Sequence, residues 1–312
     1  DYNYLQHRKV DVVSSALDFI LPFEKYKITA GAKVSFTNTR NGINYDTSDP
    51  TLVQDDYFRY KEQIYALYAD YSREYSERFS MQLGLRMEHT RTTGISEAKD
   101  TEDKHDYTRL FPTVYLLYSP TDGHALNFSF SNRISRPSQN MVNPFPFYQN
   151  KYTYACGRED LKPSYTYNAE LGYTLKNNFN VSAYYSYSDD VFFQVVDLDA
   201  ETNVTSFLWE NFMQTHAFGL NNSYTFRTKW LQTYAQHGVS YRRTTSSAAT
   251  TSPEEKGWAY NASLRNTFFF NEKKTLLATL SGSYSSRQYQ GIYLMSPTYS
   301  VSAGMLYRLL NN

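Results

Sequence analysis

The 312-residue sequence holds a single cysteine, Cys156. An intrachain disulfide and a cysteine-cluster metal site are both excluded. Histidine is sparse too: His7, His89, His105, His124, His216 and His237 are scattered without ligand spacing, so no metal and no cofactor is expected. Neither sign of charge is in excess, with 31 Lys plus Arg against 31 Asp plus Glu. That balance removes the basic footprint of a nucleic-acid binder and leaves no acidic tail. No apolar run approaches the roughly 20 residues that a membrane-crossing helix needs. Neither a nucleophile elbow nor a phosphate-cradling loop is present, and no acid/base constellation can be assembled, so no enzyme is expected. Asp1 opens the chain with no charged-then-apolar leader; an exported protein would be represented here by a mature or trimmed chain.

What the sequence has is aromatics and alternation. Tyr (31), Phe (20) and Trp (3) make up 17% of the chain, while the mean hydropathy is only −0.62. In "YTYNAELGYTLKNNFNVSAYYSYSDD", Tyr167, Ala169, Leu171, Tyr173 and Leu175 alternate with polar residues. After the Asn177–Asn178 break, Phe179, Val181, Ala183, Tyr185 and Tyr187 do the same. Period two with a short polar break is an antiparallel hairpin with one apolar face. "KITAGAKVSF", "FSMQLGLRME" and "TYSVSAGMLYR" repeat the pattern. A helix of period 3.6 would smear each apolar set around its circumference. A membrane-crossing strand needs only about 9–11 residues, half of them polar, so low hydropathy is compatible with a transmembrane barrel. Tyrosine suits its water boundary, being apolar in body and wet at the hydroxyl.

The breaks alternate between two lengths. Short turns are expected at 23–25, 75–78, 119–124, 176–178, 227–229, 271–274 and 310–312, and longer polar loops at 41–56, 95–106, 136–164, 198–204, 246–256 and 289–296. Short turns at one end and long loops at the other give an all-β, antiparallel up-and-down barrel wall of about thirteen strands. A soluble sandwich, with strands of about 5–6 residues and Greek-key crossovers, fits the long stripes poorly.

The central third, "SFSNRISRPSQNMVNPF" followed by "GREDLKPSYTYNAELGY", resembles the outer-membrane β-barrel region of TonB-dependent receptors. The resemblance is carried by Arg136-Pro137, Asn143-Pro144-Phe145, Gly157, Leu161, Pro163, Glu170 and Gly172-Tyr173, with Arg158-Glu159 standing where that family usually has Asn-Pro. "LGLRMEHTRTTG" and "RLFPTVYLLYSP" are similar to other strands of the family. The resemblance implies a 22-stranded barrel with an N-terminal plug. Residues 1–312 would then be a partial barrel, with the plug and first strands before 1 and the last strands after 312. It also implies outer-membrane lipid as surroundings, a TonB-type energy-coupling complex acting through the plug, and uptake of a scarce nutrient: an iron chelate, cofactor, glycan or peptide. A structural or docking barrel that binds a surface lipoprotein or an assembly partner without active transport is the alternative.

Two groups of site residues follow. The prolines of the Asn-Pro-Phe-Pro stretch forbid a regular ladder, and Gly157 is expected to take φ > 0 at a tight return. The 137–164 loop should therefore be shaped, presenting Phe145, Phe147, Tyr148, Tyr152 and Tyr154 with Arg136 and Arg158 as ligand contacts, or packing those rings on its neighbours. Arg86, Glu88, Arg133, Glu170, Arg265 and Arg308 fall in the polar register and are expected to line the lumen, paired across neighbouring strands or touching substrate. Asp197, Asp199 and Glu201 alternate but lack the glycine and spacing of a calcium loop.

Overall fold

A computed structural model describes residues 3–46, 56–97 and 100–308. The chain runs up and down through β1 (Asn3–Pro22), β2 (Tyr26–Asp46), β3 (Asp56–Ser76), β4 (Phe79–Ser96), β5 (Thr101–Tyr118) and β6 (His124–Ser135). An excursion follows, with the helical turn α1 (Gln139–Val142) and two short strands, β7 (Phe147–Asn150) and β8 (Thr153–Cys156). The wall resumes with β9 (Ser164–Leu175), β10 (Phe179–Asp199), β11 (Val204–Arg227), β12 (Leu231–Ser246), β13 (Glu254–Phe269) and β14 (Leu276–Ser285). A small hairpin, β15 (Gln288–Gln290) and β16 (Tyr293–Met295), precedes β17 (Thr298–Tyr307). The sheet order is β1-β2-β3-β4-β5-β6-β9-β10-β11-β12-β13-β14-β17, thirteen strands in unbroken sequence order. Among the described residues β1 and β17 each have one strand partner, so the sheet is open.

Register assigns the faces. Lys33, Ala66, Glu88 and Arg109 lie opposite one another across β2–β5, and Glu170 joins that face through Ser129, Tyr115 and Gln82. Leu17, Ala32, Leu67, Met87 and Leu110 form a row on the other face. The excursion packs on the first face, where Phe58, Thr90 and Thr92 are buried. On the second, Leu17, Leu85, Leu171 and Leu220 are all more than half exposed. An apolar face of this extent, unpartnered by protein, needs a non-aqueous surrounding. Aromatic rings edge it, with Tyr26 and Tyr71 at the turn end and Phe36 and Tyr65 at the loop end, their centroids 5.7 and 5.8 Å apart.

The turns are tight. Lys176 (φ 49°) and Asn177 (φ 55°) take left-handed conformations in the three-residue turn between Leu175 and Phe179, where the Asn178 N–H donates to the Leu175 carbonyl at 3.0 Å. Expectations at the other end require correction, among them 41–46, which is strand, and 289–296, which holds the β15–β16 hairpin. The 95–106 segment is strand down to Ser96 and again from Thr101, not loop, and β10 continues to Asp199. Beyond the apolar band both faces are wet, so a ladder persists there without alternation. The 136–164 segment, expected as a shaped loop, is built from a helical turn and two short strands. The expected turn at 310–312 and most of that at 41–56 lie outside the described residues.

Candidate functional site

The excursion between β6 and β9 exists because the sequence stops alternating at Pro137. Asn143 turns the chain, its Oδ1 accepting the Phe145 N–H at 3.1 Å. Gly157 then brings two segments together: its N–H donates to the Asn143 carbonyl and the Arg158 N–H donates to the Met141 carbonyl, both at 2.8 Å. Gly157 does not take the positive φ expected of it; among the described residues only Gly123 and Gly291 are glycines that do. It is needed for close approach, since a Cβ there would sit 2.6 Å from the Met141 carbonyl oxygen.

Both ends of the excursion are tied to the wall. At the β3–β4 side, Arg136 Nη2 donates to Glu88 Oε2 at 2.6 Å and to Thr90 Oγ1 at 3.2 Å, and its Nε lies 3.7 Å from Glu62 Oε1. Arg86 Nε binds the other oxygen of Glu88 at 2.6 Å. The expected cross-strand pairing is therefore corrected: Arg86 and Glu88 pair along one strand, and the second cation comes from the loop. Two arginines against two carboxylates balance the charge in a low-exposure setting. Glu62 lies above the apolar band; burial raises its carboxyl pKa, Arg136 opposes that rise, and Glu88 adds to it.

At the β10–β11 side, β8 pairs in parallel with Thr205–Leu208 of β11. It takes a ladder position that β12 leaves empty, because β12 pairs with β11 only from Met213 onward. Asn211 reinforces this anchor: its Oδ1 accepts the Lys162 N–H at 2.8 Å and its Nδ2 donates to the Lys162 and Asp190 carbonyls at 2.9 and 2.6 Å. Arg158 pairs with Asp160 at 2.6 Å and with Glu210 at 2.9 Å. Between the anchors Val142, Leu161 and Phe58 form a small core with Tyr60, Phe192 and Trp209 packed around it.

These ties place the residues singled out in the sequence. Arg136 and Arg158 hold the loop, Phe145 is buried within it, and Tyr148 packs on Tyr154 with the rings tilted and their centroids 5.4 Å apart. Phe147 is half-buried; Tyr152 is exposed at the loop tip beneath the Lys151 ammonium. Arg133 is exposed, Glu170 and Arg265 share the Arg86 face, and Arg308 follows β17 with its N–H on the Thr275 carbonyl at 2.8 Å. Asp199 accepts from the Thr202 hydroxyl and from the Glu201 N–H, a local turn rather than a ligand set. Sequence reading missed Glu62, Asn211 and Trp209. Glu62 was within reach, since it falls in the register opposite to the outward Tyr65, Leu67 and Tyr71.

Above the β6–β9 hairpin the wall is notched. The β5–β6 ladder ends at Thr113–Ser131, leaving β5 from Thr101 to Pro112 to rise without that neighbour. A cavity of about 360 Å³ occupies the notch, walled by Tyr107 and Arg109 of β5, Arg136 and Leu161 of the excursion, Tyr165 and Asp190. The Arg109 guanidinium lies over the Tyr165 ring, 4.7 Å from its centroid. Cation, carboxylate and phenol edges in one cleft can bind a polar, partly aromatic ligand.

Residues 1–312 match the outer membrane protein beta-barrel family along their whole length. The chain belongs to that family. The barrel's place is the cell outer membrane, and its exposed Leu-rich face is the lipid face. Solved structures with the same fold include the copper transporter OprC (13% identity, TM-score 0.73), covering 98% of this chain and 50% of that one. The siderophore receptor PiuA from Acinetobacter baumannii gives 14% identity and a TM-score of 0.64, with 99% and 51% covered. The Serratia marcescens hemophore receptor HasR, solved with its hemophore HasA and heme, gives 10% and 0.66, with 99% and 55% covered. No curated protein matches. At such identities the likeness is one of fold, and the chain spans about half the length of these structures.

Proposed function

We propose that this barrel wall belongs to a larger receptor-transporter for a scarce nutrient, driven from the periplasm by a TonB-type complex acting on a plug domain. Residues 1–312 are then one arc of the barrel, completed by strands and a plug outside this chain. The open edges of β1 and β17 and the half-length coverage of the solved relatives support that division. The role is transport, not catalysis.

The observation that carries the reading is the tethered excursion with the notch cavity beside it. A free loop would lose much entropy on binding; one already folded by prolines and a salt-bridge network loses little. The cleft chemistry suits an iron chelate, cofactor, glycan or peptide with both charged and ring groups. Deleting residues 144–156 is the test, read by growth on the limiting nutrient and by heat-modifiable migration of the barrel. Impaired uptake by a normally assembled barrel is expected. Normal uptake would assign the excursion to structure alone and favour a docking barrel for a surface lipoprotein.

A further inference from the structure

The lipid-side face of β1–β3 carries an unbalanced cluster of cations. On each strand a basic residue lies four positions toward the loop end from an outward apolar or aromatic residue: Lys9 from Val13, Arg40 from Phe36, and Lys61 from Tyr65. Register then sets Lys9, Arg40 and Arg59 directly opposite one another across the three strands. Facing residues in a ladder have Cα atoms about 4.5–5.5 Å apart, and like charges so placed are destabilising. Lys9 has Asp11 at 3.9 Å, and Arg59 Nε donates to the Asn38 side chain at 3.0 Å. No carboxylate lies within ion-pair distance of Arg40, Arg59 or Lys61 among the described residues. The same barrel shows how such a row is normally balanced. On β12–β13, Arg243 and Lys256 also stand opposite each other, and Glu254 binds both.

Depth identifies what replaces that carboxylate. Four residues along a strand tilted by about 40° rise roughly 10 Å above the aromatic edge of the apolar band. Long basic side chains reach back toward that edge, with the stem on the apolar surface and the charge at headgroup level. We propose that Lys9, Arg40, Arg59 and Lys61 form a binding site for the phosphorylated headgroup of an outer-leaflet lipid. Two guanidiniums offer paired N–H donors to phosphate oxygens, and the ammonium groups add charge at the flanks. The site is independent of the excursion and of any transported ligand.

The test uses the protein purified from outer membranes in non-denaturing detergent. Binding is titrated with micelles doped with an anionic phospholipid, in parallel with a zwitterionic phospholipid and with inorganic phosphate. The triple variant Arg40→Gln/Arg59→Gln/Lys61→Gln should bind the anionic lipid on the order of a hundredfold more weakly, about fivefold per charge removed. The Arg243→Gln/Lys256→Gln variant should change it less than twofold. Heat-modifiable migration checks folding, and Arg40→Gln alone, expected to lose about fivefold, replaces the triple variant if that one does not fold. Unchanged binding by the folded variant would overturn the proposal. So would an equal loss in the β12–β13 control, or wild-type binding of zwitterionic lipid or inorganic phosphate as tight as that of the anionic lipid.

Discussion

Replacing Arg136 by Met removes the cation that ties the excursion to β3 and β4 while keeping most of its apolar stem. Its side chain is 22% exposed, and those of its partners Glu62 and Glu88 are 20% and 10% exposed. Breaking a buried pair from one side costs about 3–5 kcal/mol, because the remaining charge is stranded. Here Glu88 keeps Arg86 at 2.6 Å, so Glu62 is the stranded group and the low end applies. At about 3 kcal/mol the ratio of docked to released excursion falls on the order of 150-fold. Hydrogen exchange reads this directly. The Gly157 and Arg158 amides, bonded within the excursion, should lose protection, while those of β8, held by β11, should not. Adding Glu62→Gln should recover most of the loss by removing the stranded charge. The pH dependence has the same origin. Burial and Glu88 both raise the Glu62 pKa, and Arg136→Met removes the cation that opposes them. Glu62 then takes up a proton as pH falls, so the single variant should be closer to wild type at pH 5 than at pH 8. Protection at Gly157 within twofold of wild type, or no recovery with Glu62→Gln, would refute the reasoning.

Leu85, 51% exposed on the lipid side, should cost about 2–4 kcal/mol as Leu85→Arg near the bilayer midplane, measured by denaturant unfolding of the refolded barrel in lipid. Gly157→Ala places a methyl against the Met141 carbonyl and should open the α1–Gly157 contact; increased exchange at Arg158 with unchanged barrel stability is the expected readout. Asn211→Leu removes three hydrogen bonds between the excursion, β10 and β11, and should destabilise that anchor by about 2–4 kcal/mol, read as faster exchange at Lys162.

The wall was legible in the sequence because lipid on one side and a polar interior on the other impose a strict period of two. The apolar registers of Ile28–Phe36, Phe79–Met87 and Tyr299–Tyr307 all fall on one face of the sheet. Where lipid ends, that constraint ends, and the strands at 95–106 carry polar residues on both faces and read as loop. The excursion was legible as a shaped segment but not as a folded one. Its prolines announce an interruption, whereas its anchors Glu62, Glu88 and Asn211 lie on strands remote in sequence from Arg136 and Lys162. Sequence does not show that Glu62 and Glu88 on distant strands pair with Arg136, or that Glu210 joins the nearby Asp160 on Arg158.

The excursion leaves the wall at β6 and returns at β9, yet it grips β3 and β4 on one side and β11 on the other. It is a chord across an arc of curved sheet. A curved sheet alone is compliant, and lateral pressure from a bilayer flattens or buckles it by small changes in twist between strands. A chord fixed at both ends resists that deformation as a tie-rod resists the spread of an arch. The notch beside it then keeps a set width.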